Sequence, residues 1–312
     1  MRNADGPNAG PALCGPDGER VPDVRTDLSF EPSWSPNPFP AVPTSPRRFS
    51  RFRTDYLVYE ALVQRGKGGV YKALDVTSTP LRQCVIKEGR RHGETDWNRQ
   101  DGRARILAER QVLHSLASSG IGVPVVYEEF EEQGNAYIAI EYLGRSTLED
   151  LVREAGVLAM GDALSLAAKM ALQVAKVHEA GWAWRDCKPR NMVVGAADTL
   201  RPIDFEGACH IDSRGVPPWG SEGYVSPEWL DPTIDQAKSD LFALGVSCYQ
   251  ILVGRRCLGM TSRDLVASPI GARRREVRPE IKRLVAALLD ADPNRRPSAR
   301  TAAEVLSAAA NS

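Results

Sequence analysis

One short stretch organises the chain, Trp184-Arg185-Asp186-Cys187-Lys188-Pro189-Arg190-Asn191. In it the carboxylate of Asp186 is followed two residues later by the ammonium group of Lys188 and five residues later by the carboxamide of Asn191. Three such groups on one loop suit chemistry in which the protein positions reactants and neutralises charge. The same residues also fit an ordinary charged surface turn, so their interpretation depends on the sequence around them.

Composition limits the classes of function. The chain has 312 residues, enough for one sizeable domain and a tail, and 40 basic and 40 acidic residues leave it without net charge. That balance does not favour binding to nucleic acid or to an anionic membrane. The six cysteines include no C-x-x-C pair, and the four histidines have no metal-ligand spacing. With no apolar signal region and no apolar run long enough to cross a bilayer, we expect a cytoplasmic protein with reduced thiols.

Residues 1–52 differ from the rest, because they are rich in Pro, Gly and Ser and have no hydrophobic periodicity. We interpret them as an N-terminal arm. The arm carries Phe30, Trp34 and Phe39, and disordered tails usually have fewer aromatic residues. One hypothesis is that these rings dock on a groove of the folded domain or of a partner. The alternative is a loose tail.

The segment after the arm is predicted to form a hairpin. Residues 56–63 and 70–74 are β-prone and enclose a glycine-rich turn, 64–69, where backbone N–H groups can approach a phosphate closely. A second hairpin is predicted from 124–130 and 136–142, which flank a Gly-Asn turn.

Between the two hairpins, a short apolar strand contains Lys87, and a lysine in such a strand needs a partner. The following helix, 103–118, has its apolar residues largely on one face and Glu109 at its centre, so we expect Lys87 and Glu109 to pair. The connecting residues 89–102 are long and charged for this position. They form either a functional loop or a solvated insertion.

Helix starts are predicted from capping patterns. Ser146 and Glu149 form a capping box for a short helix, and Thr301 and Glu304 form one for a terminal helix. A long amphipathic helix, about 161–180, leads into the central stretch, and short strands at 192–194 and 200–203 follow it.

These landmarks occur in the order typical of a eukaryotic-type Ser/Thr protein kinase domain, which the chain resembles from about Tyr56 to Ala309. Besides the central stretch they include the strand with Lys87, the motif Asp204-Phe205-Glu206-Gly207 and the stretch 220–228. Lys188, two residues after the aspartate, favours the Ser/Thr branch over the Tyr branch.

The resemblance implies an α+β, bilobed fold. Residues 53–143 would form a small β-rich N-lobe and residues 144–312 a larger helical C-lobe. It also implies roles for two residues of the central loop, since Asp186 would accept or orient the proton of the acceptor hydroxyl and Lys188 would hold the γ-phosphate.

ATP and Mg²⁺ are the implied cofactors. Lys87, held by Glu109, would bind the α- and β-phosphates, and Asn191 and Asp204 would hold Mg²⁺. The other implied nucleotide contacts are Gly66, Gly68, Gly69, Val70, Glu141 and Leu143, the last two at the hinge that reads the adenine edge.

The resemblance also implies substrate-side or structural roles for four further residues. Ser221 would contact the aspartate and lysine of the catalytic loop, and Asp240 would hold the backbone of that loop. Glu228 and Arg296 would form an ion pair.

The chain departs from the kinase pattern at several positions. Val63 and Arg65 stand where the first two glycines of the glycine-rich loop are usual. Trp184 replaces a histidine that packs under the Phe of the Asp-Phe-Gly motif, and an aromatic ring there can keep that contact. Glu206 replaces the glycine of the same motif, which suggests a less switchable site. The segment before Ser221 is short, with Ser213 as its central hydroxyl, and we expect no activating phosphate to be needed.

A narrower resemblance is carried by Lys87-Glu88-Gly89-Arg90-Arg91-His92-Gly93, by the insertion 96–105 and by the stretch 203–208. These are similar to the kinase domains of class III and IV lanthipeptide synthetases. That family implies phosphorylation of Ser and Thr in a precursor peptide, followed by elimination by a lyase and ring closure by a cyclase. With room for a kinase alone, we expect a stand-alone pathway enzyme, as in class V or thioamitide-like systems, with separate lyase and cyclase partners.

Other functions remain open. The chain would otherwise be a regulatory cytosolic Ser/Thr kinase or a pseudokinase scaffold for a biosynthetic complex. The complete set of catalytic residues argues against the scaffold. A small-molecule phosphotransferase of the aminoglycoside type shares the Asp/Asn/Asp set but normally lacks residues such as Ser221, Glu228 and Arg296.

Overall fold

The computed structural model describes residues 12–22, 34, 50–95, 99–231, 233–254, 260 and 262–312. Within the arm, β1 (Ala12–Cys14) pairs antiparallel with β2 (Arg20–Pro22), and Trp34 lies close to the turn between them at Gly15. Phe30 and Phe39 lie outside the described residues, so docking of the arm stays a prediction.

One antiparallel sheet follows the arm. Its strands are β3 (Ser50–Phe52), β4 (Tyr56–Arg65), β5 (Gly68–Asp75), β6 (Arg82–Gly89), β7 (Val126–Glu132) and β8 (Asn135–Glu141). They are ordered β3-β4-β5-β6-β8-β7. Helix α1 (Gly102–Ser118) lies against β6 and β8. Because β8 has strands on both sides and the helix nearby, its apolar run Ala136–Ile140 is fully buried.

The turn of the first hairpin is tighter than its sequence suggests. Arg65 pairs directly with Gly68, so the turn has only two residues, and the wider turn over 64–69 is wrong. Gly68 has φ +151°, and a Cβ there would lie 1.9 Å from the carbonyl oxygen of Glu88. A Cβ at Gly102 would likewise lie 1.8 Å from the carbonyl oxygen of Lys67. Glycine therefore allows the hairpin tip to pack against both β6 and the start of α1.

Helices dominate the second half of the chain. They are α2 (Leu148–Ala155), α3 (Met160–Glu179), α4 (Gln236–Val253), α5 (Ser262–Ala267), α6 (Ile270–Arg273), α7 (Pro279–Leu288) and α8 (Ala299–Ala310). Helix α3 packs on both α4 and α8, around buried side chains such as Met170, Leu244 and Leu306. The prediction of a long helix near 161–180 is confirmed. No helix of the described residues is long and apolar enough to cross a membrane.

Two short sheets hold the central loop between these helices. In one, β9 (Trp182–Ala183) pairs with β12 (Cys209–His210), and in the other β10 (Met192–Val194) pairs with β11 (Leu200–Pro202). Both pairs are antiparallel. The central loop therefore starts at the end of one small sheet and ends at the beginning of the other.

Both predicted capping boxes are wrong. Helix α2 is capped by Thr147, whose side chain accepts from the backbone N–H of Asp150. The reason is that Ser146 and Thr147 pair with β10 as extended backbone, which delays the start of the helix by one residue. Helix α8 is capped by Ser298, which accepts from the backbone N–H of Thr301, three residues before the predicted start.

The α+β fold class is confirmed, since an antiparallel sheet with one helix precedes a helical region. The predicted strands at 56–63 and 70–74, the predicted strand that contains Lys87 and the second hairpin are also confirmed. The boundaries of the arm and the two lobes stay predictions.

Candidate active site

The sheet and the helical region enclose a cleft of about 820 Å³, within the usual range of small-molecule sites. The lining contains most of the predicted site residues, namely Gly68, Gly69, Val70, Lys87, Glu109, Glu141, Leu143, Asp186, Lys188, Asn191, Asp204 and Ser221. Gly66 is not part of this lining and instead faces the side chain of Glu94. Glu228, Asp240 and Arg296 also lie outside it.

Strand β6 and helix α1 bring Lys87 and Glu109 together, as predicted. The Lys87 Nζ atom lies 2.6 Å from Glu109 Oε1 and 3.1 Å from Asp204 Oδ1. The buried Glu109 also accepts a 3.0 Å hydrogen bond from the backbone N–H of Phe205. Burial opposes the charge on Lys87, but Asp204 and Glu109 outweigh it and raise the pKa of the lysine. Lys87 in turn lowers the pKa of Asp204, so both groups carry charge at neutral pH.

The side chains of the central loop form a second cluster around Asp186. Its Oδ2 atom accepts from Lys188 Nζ at 2.7 Å and from Asn191 Nδ2 at 2.9 Å. Its Oδ1 atom accepts from the hydroxyl of Ser221 at 2.7 Å. Lys188 also donates to Ser221 Oγ, so the predicted contact between Ser221 and the loop is confirmed. Three donors hold the carboxylate in one orientation, and Oδ1 keeps a lone pair for a further donor.

Asp240 holds the backbone of the loop from below. Its buried carboxylate accepts from the N–H of Trp184 at 2.7 Å and of Arg185 at 2.6 Å, and it lies 3.0 Å from His178 Nε2. Arg185 and Asp204 have left-handed backbones, with φ of +68° and +65°. Such backbones cost on the order of 1–3 kcal/mol in non-glycine residues and collect at functional sites. The hydrogen bond that the Arg185 N–H donates to Asp240 offsets part of that cost.

Trp184 takes the place predicted for an aromatic ring. It stacks on Phe205, with ring centroids 5.2 Å apart and planes at 20°. Its indole N–H donates to the carbonyl oxygen of Asp204 at 3.0 Å. This contact fixes the position of Asp204 relative to the central loop.

The predicted ion pair of Glu228 and Arg296 is also confirmed. Both guanidinium Nη atoms contact the carboxylate, at 2.5 and 2.8 Å. Arg296 is fully buried and donates as well to the carbonyl oxygens of Asp290 and Lys238. Every nitrogen of this guanidinium therefore has a partner, which is the condition for burying an arginine. The pair anchors the segment after Ser221 to the helical region.

At the hinge, Glu141 makes a contact that the sequence did not indicate. Its carboxylate forms a two-point ion pair with Arg201 of β11, with both distances 2.7 Å. Its backbone N–H donates to Val125, so neither group is free for a ligand. Leu143 lines the cleft, and within the described residues no backbone hydrogen bond involves it.

The residues present fit a divalent metal. The Asn191 amide nitrogen donates to Asp186, which leaves the amide oxygen as the acceptor. Asp204 contributes a carboxylate whose pKa is lowered by Lys87. One carboxylate and one amide oxygen, with room for phosphate oxygens and water, make a donor set that suits Mg²⁺.

A further cluster was missed by sequence reasoning. Glu206, in place of the usual glycine, forms an ion pair with Lys67 at the tip of the hairpin, and its other oxygen lies 3.9 Å from Arg105 of α1. The ring of Trp219 lies 5.7 Å from the Lys67 ammonium and 5.6 Å from the Arg105 guanidinium. A Cβ at Gly207 would lie 2.0 Å from Trp219 Nε1. The only indication of this cluster in the sequence was Glu206, which stands where a glycine is usual.

Comparison with known proteins agrees with this geometry. The model of the protein kinase domain family matches residues 59–306. The probable SapB synthase of Streptomyces coelicolor is 30% identical over 232 residues, which are 70% of this chain and 24% of that protein. The serine/threonine-protein kinase PrkC of Bacillus subtilis is 29% identical over 204 residues, 64% of this chain and 30% of the relative.

A cyanobacterial relative belongs to the same group. The serine/threonine-protein kinase F of Synechocystis is 27% identical over 231 residues, 67% of this chain and 45% of the relative. The chain thus spans about a quarter to a half of the length of these relatives. Kinases of this type transfer the phosphoryl group of ATP with the help of a divalent metal. The family match and the assembled cleft together establish that the chain belongs to the protein kinase domain family.

Proposed function

We propose that this kinase phosphorylates Ser and Thr of a ribosomally made precursor peptide, so that a separate lyase can convert them to dehydroamino acids. The observation that carries the proposal is the similarity to the probable SapB synthase, whose name describes a synthase, across 70% of this chain. The resemblance of residues 87–93 and 203–208 to lanthipeptide synthetase kinase domains supports it. The partners are therefore the precursor peptide, a lyase and a cyclase, and the location is the cytoplasm, where ATP is available.

In this proposal Asp186 orients the acceptor. The acceptor hydroxyl donates to the remaining lone pair of Asp186 Oδ1, beside Ser221. The hydroxyl oxygen forms the new bond to phosphorus, ADP is the leaving group, and the proton is held at Asp186. Lys188, 2.7 Å from the same carboxylate, stabilises the charge that develops on the transferred group.

Lys87 and the metal ligands act on the nucleotide side. When bound, MgATP supplies the phosphoryl group. Lys87, fixed by Glu109, would hold the α- and β-phosphates, and Asp204 and Asn191 would hold Mg²⁺. Gly68, Gly69 and Val70 would cover the nucleotide, and Leu143 would contact its adenine edge.

A regulatory protein kinase is the second candidate. It is favoured by the similarity to PrkC and to kinase F, whose names describe serine/threonine-protein kinases. The scaffold is less well supported, because Lys87, Asp186 and Asp204 each have ordered partners in the cleft.

The test is the intact mass of a Ser/Thr-rich precursor peptide from the same gene neighbourhood after incubation with the protein, ATP and Mg²⁺. We expect phosphate additions that are lost in Asp186→Asn. They should persist in the matched control Asp162→Asn, which changes an exposed aspartate in the first turn of α3. Phosphorylation of a general protein substrate without that of the peptide would favour the regulatory kinase. Nucleotide binding without any transfer would favour the scaffold.

A further inference from the structure

The charges that line the cleft are almost completely matched. Within the described part of the chain, each lining carboxylate has a cationic partner within 3.2 Å. The pairs are Glu88 with Arg90, Glu109 and Asp204 with Lys87, Glu141 with Arg201, Glu149 and Asp150 with Arg153, Asp186 with Lys188, and Glu206 with Lys67. The guanidinium groups of Arg65 and Arg190 line the same cleft and have neither a hydrogen bond nor an ion pair to any described residue.

Of these two arginines, Arg190 lies nearer in the chain to the reacting groups. It belongs to the short helical turn Pro189–Asn191, two residues after Lys188 and four after Asp186. Both of its neighbours are buried, and the N–H of Asn191 donates to the carbonyl oxygen of Lys188 at 3.0 Å. The backbone of Arg190 is therefore fixed, while its side chain is exposed at the edge of the cleft. Arg65, in contrast, ends β4 on the glycine-rich hairpin.

An acceptor peptide has to pass this side chain. For its hydroxyl to reach Asp186, the residues beside the acceptor must lie along the central loop, where Arg190 is exposed. A guanidinium presents a rigid fork of donors that matches a carboxylate or a phosphate and repels a cation. A fixed backbone and an unpaired charge are what a selective contact requires.

We propose that Arg190 selects acceptor peptides that carry an anionic side chain beside the hydroxyl to be phosphorylated. The anion is either a carboxylate of Asp or Glu or the phosphate of a neighbouring residue that has already been modified. This inference rests on the proposed function, because it assumes a peptide acceptor. If the phosphate is accepted, each transfer creates a preferred neighbour for the next, and a Ser/Thr-rich segment is modified in sequence.

The test uses synthetic peptides with one acceptor Ser and one variable flanking residue, placed in turn at each of several positions before and after it. The flanking residue is Glu, phosphoserine, Gln or Lys. The first readout is the ratio of kcat/KM values between anionic and Lys-flanked peptides, in which a general loss of activity cancels. The second is the dissociation constant of fluorescent peptides without nucleotide, measured by anisotropy.

We expect kcat/KM of the wild type to be about tenfold higher for the anionic peptides than for the Lys peptide at one flanking position. This is the effect expected when an exposed charge pair changes from attractive to repulsive. Arg190→Gln should remove the preference and Arg190→Glu should reverse it. The matched control is Arg283→Glu, which makes the same charge change on α7, at an exposed arginine outside the cleft lining. It should keep the wild-type ratio.

The inference would be overturned if wild type and Arg190→Glu showed the same ratio of anionic to Lys-flanked peptides, both in kcat/KM and in the dissociation constant. If no peptide is phosphorylated, the proposed function fails, and the anisotropy of Arg190→Glu decides the inference by itself. The source of the anion is distinguished by pH. A phosphate monoester loses its second charge below about pH 6. A preference for phosphoserine that weakens below that pH therefore identifies phosphate as the anion. An equal preference for Glu shows that a carboxylate is sufficient.

Discussion

Two lysine–glutamate ion pairs converge on the segment that follows Asp204, and they are built differently. The inner ion pair, Lys87–Glu109, joins a central strand to a helix, and its side chains are 12% and 1% exposed. The outer ion pair, Lys67–Glu206, joins a hairpin turn to an irregular segment, and its side chains are 26% and 13% exposed.

The difference teaches which contacts a sequence can specify and how strong they are. In the inner ion pair, both partners sit on regular elements and lie in a poorly solvated site. Removal of Lys87 leaves the buried Glu109 without a cation, and removal of Glu109 leaves Lys87 with only the more exposed Asp204. In the outer ion pair, solvent reaches both groups, and one oxygen of Glu206 is buried without a hydrogen-bond partner among the described residues. We therefore expect the inner ion pair to govern stability and catalysis, and the outer one to adjust the closure of the hairpin.

The largest effect is expected for Glu109→Gln. The amide cannot balance the charge of Lys87, so the free energy of unfolding should fall by about 3 kcal/mol. Because Lys87 is then held less well, kcat/KM for ATP should fall on the order of 100-fold. Chemical denaturation and steady-state kinetics measure the two changes.

Glu179→Gln is the matched control for this substitution. It makes the same chemical change in an exposed pair with Arg300 and should alter the free energy of unfolding by less than about 0.5 kcal/mol. Equal losses in the two variants would show that the inner ion pair contributes no more than a surface contact.

A smaller effect is expected for Glu206→Gln. The outer ion pair is only partly buried, so the loss in the free energy of unfolding should be about 1–2 kcal/mol. The hairpin tip should be less firmly held, and the KM for ATP should rise a few-fold with kcat nearly retained. A double-mutant cycle with Lys67→Met isolates the pair. Additive effects of the two substitutions would mean that the ion pair has no energetic role.

The same contrast explains how much of the molecule could be predicted from its sequence. The pairing of Lys87 with Glu109 followed from an apolar strand and an amphipathic helix, because periodicity fixes which side chains face each other. The contact of Arg201 with Glu141 did not follow, since it depends on how two distant short strands pack. The predicted caps of α2 and α8 were wrong for two reasons. Ser146 and Thr147 pair with β10, which sets the start of α2, and the hydroxyl of Ser298 caps α8 before the predicted position.

The glycine-rich hairpin shows the other kind of limit. Its composition indicated a broad phosphate-binding turn, whereas the register Arg65–Gly68 leaves two residues in the turn. The contact of Lys67 with Glu206 arises from that tightness, because the tip is packed against the start of α1. Sequence patterns indicate that a turn exists, but the packing of the residues below it determines its width.

Trp219→Leu tests the part of the outer cluster that carries no charge. Lys67 and Arg105 would lose a ring face that lies between 5.6 and 5.7 Å away, and such contacts are worth about 0.5–1 kcal/mol at accessible sites. We expect a loss of about 1 kcal/mol in the free energy of unfolding by denaturation. Trp219→Phe, which keeps a ring, should lose less. Equal losses in the two variants would assign the effect to buried area instead of the ring.

The smallest effect is expected from pH. The pKa of Lys87 is raised above its ordinary value of 10.5, so its contribution to stability is fully present below pH 10.5 and is lost as pH rises through the higher folded value. The pKa of Asp204 is lowered below 3.8, so its contribution is present above pH 3.8 and is lost as pH falls through the lower folded value. Burial raises the pKa of Glu109 above its ordinary value of 4.5, and loss of the lysine raises it further. The difference in unfolding free energy between wild type and Lys87→Met, measured by denaturation, should therefore be constant at alkaline pH up to about pH 9 and should shrink as pH falls through the raised pKa of Glu109. A difference that stayed constant as pH fell would mean that the pKa of Glu109 is not raised when the lysine is lost.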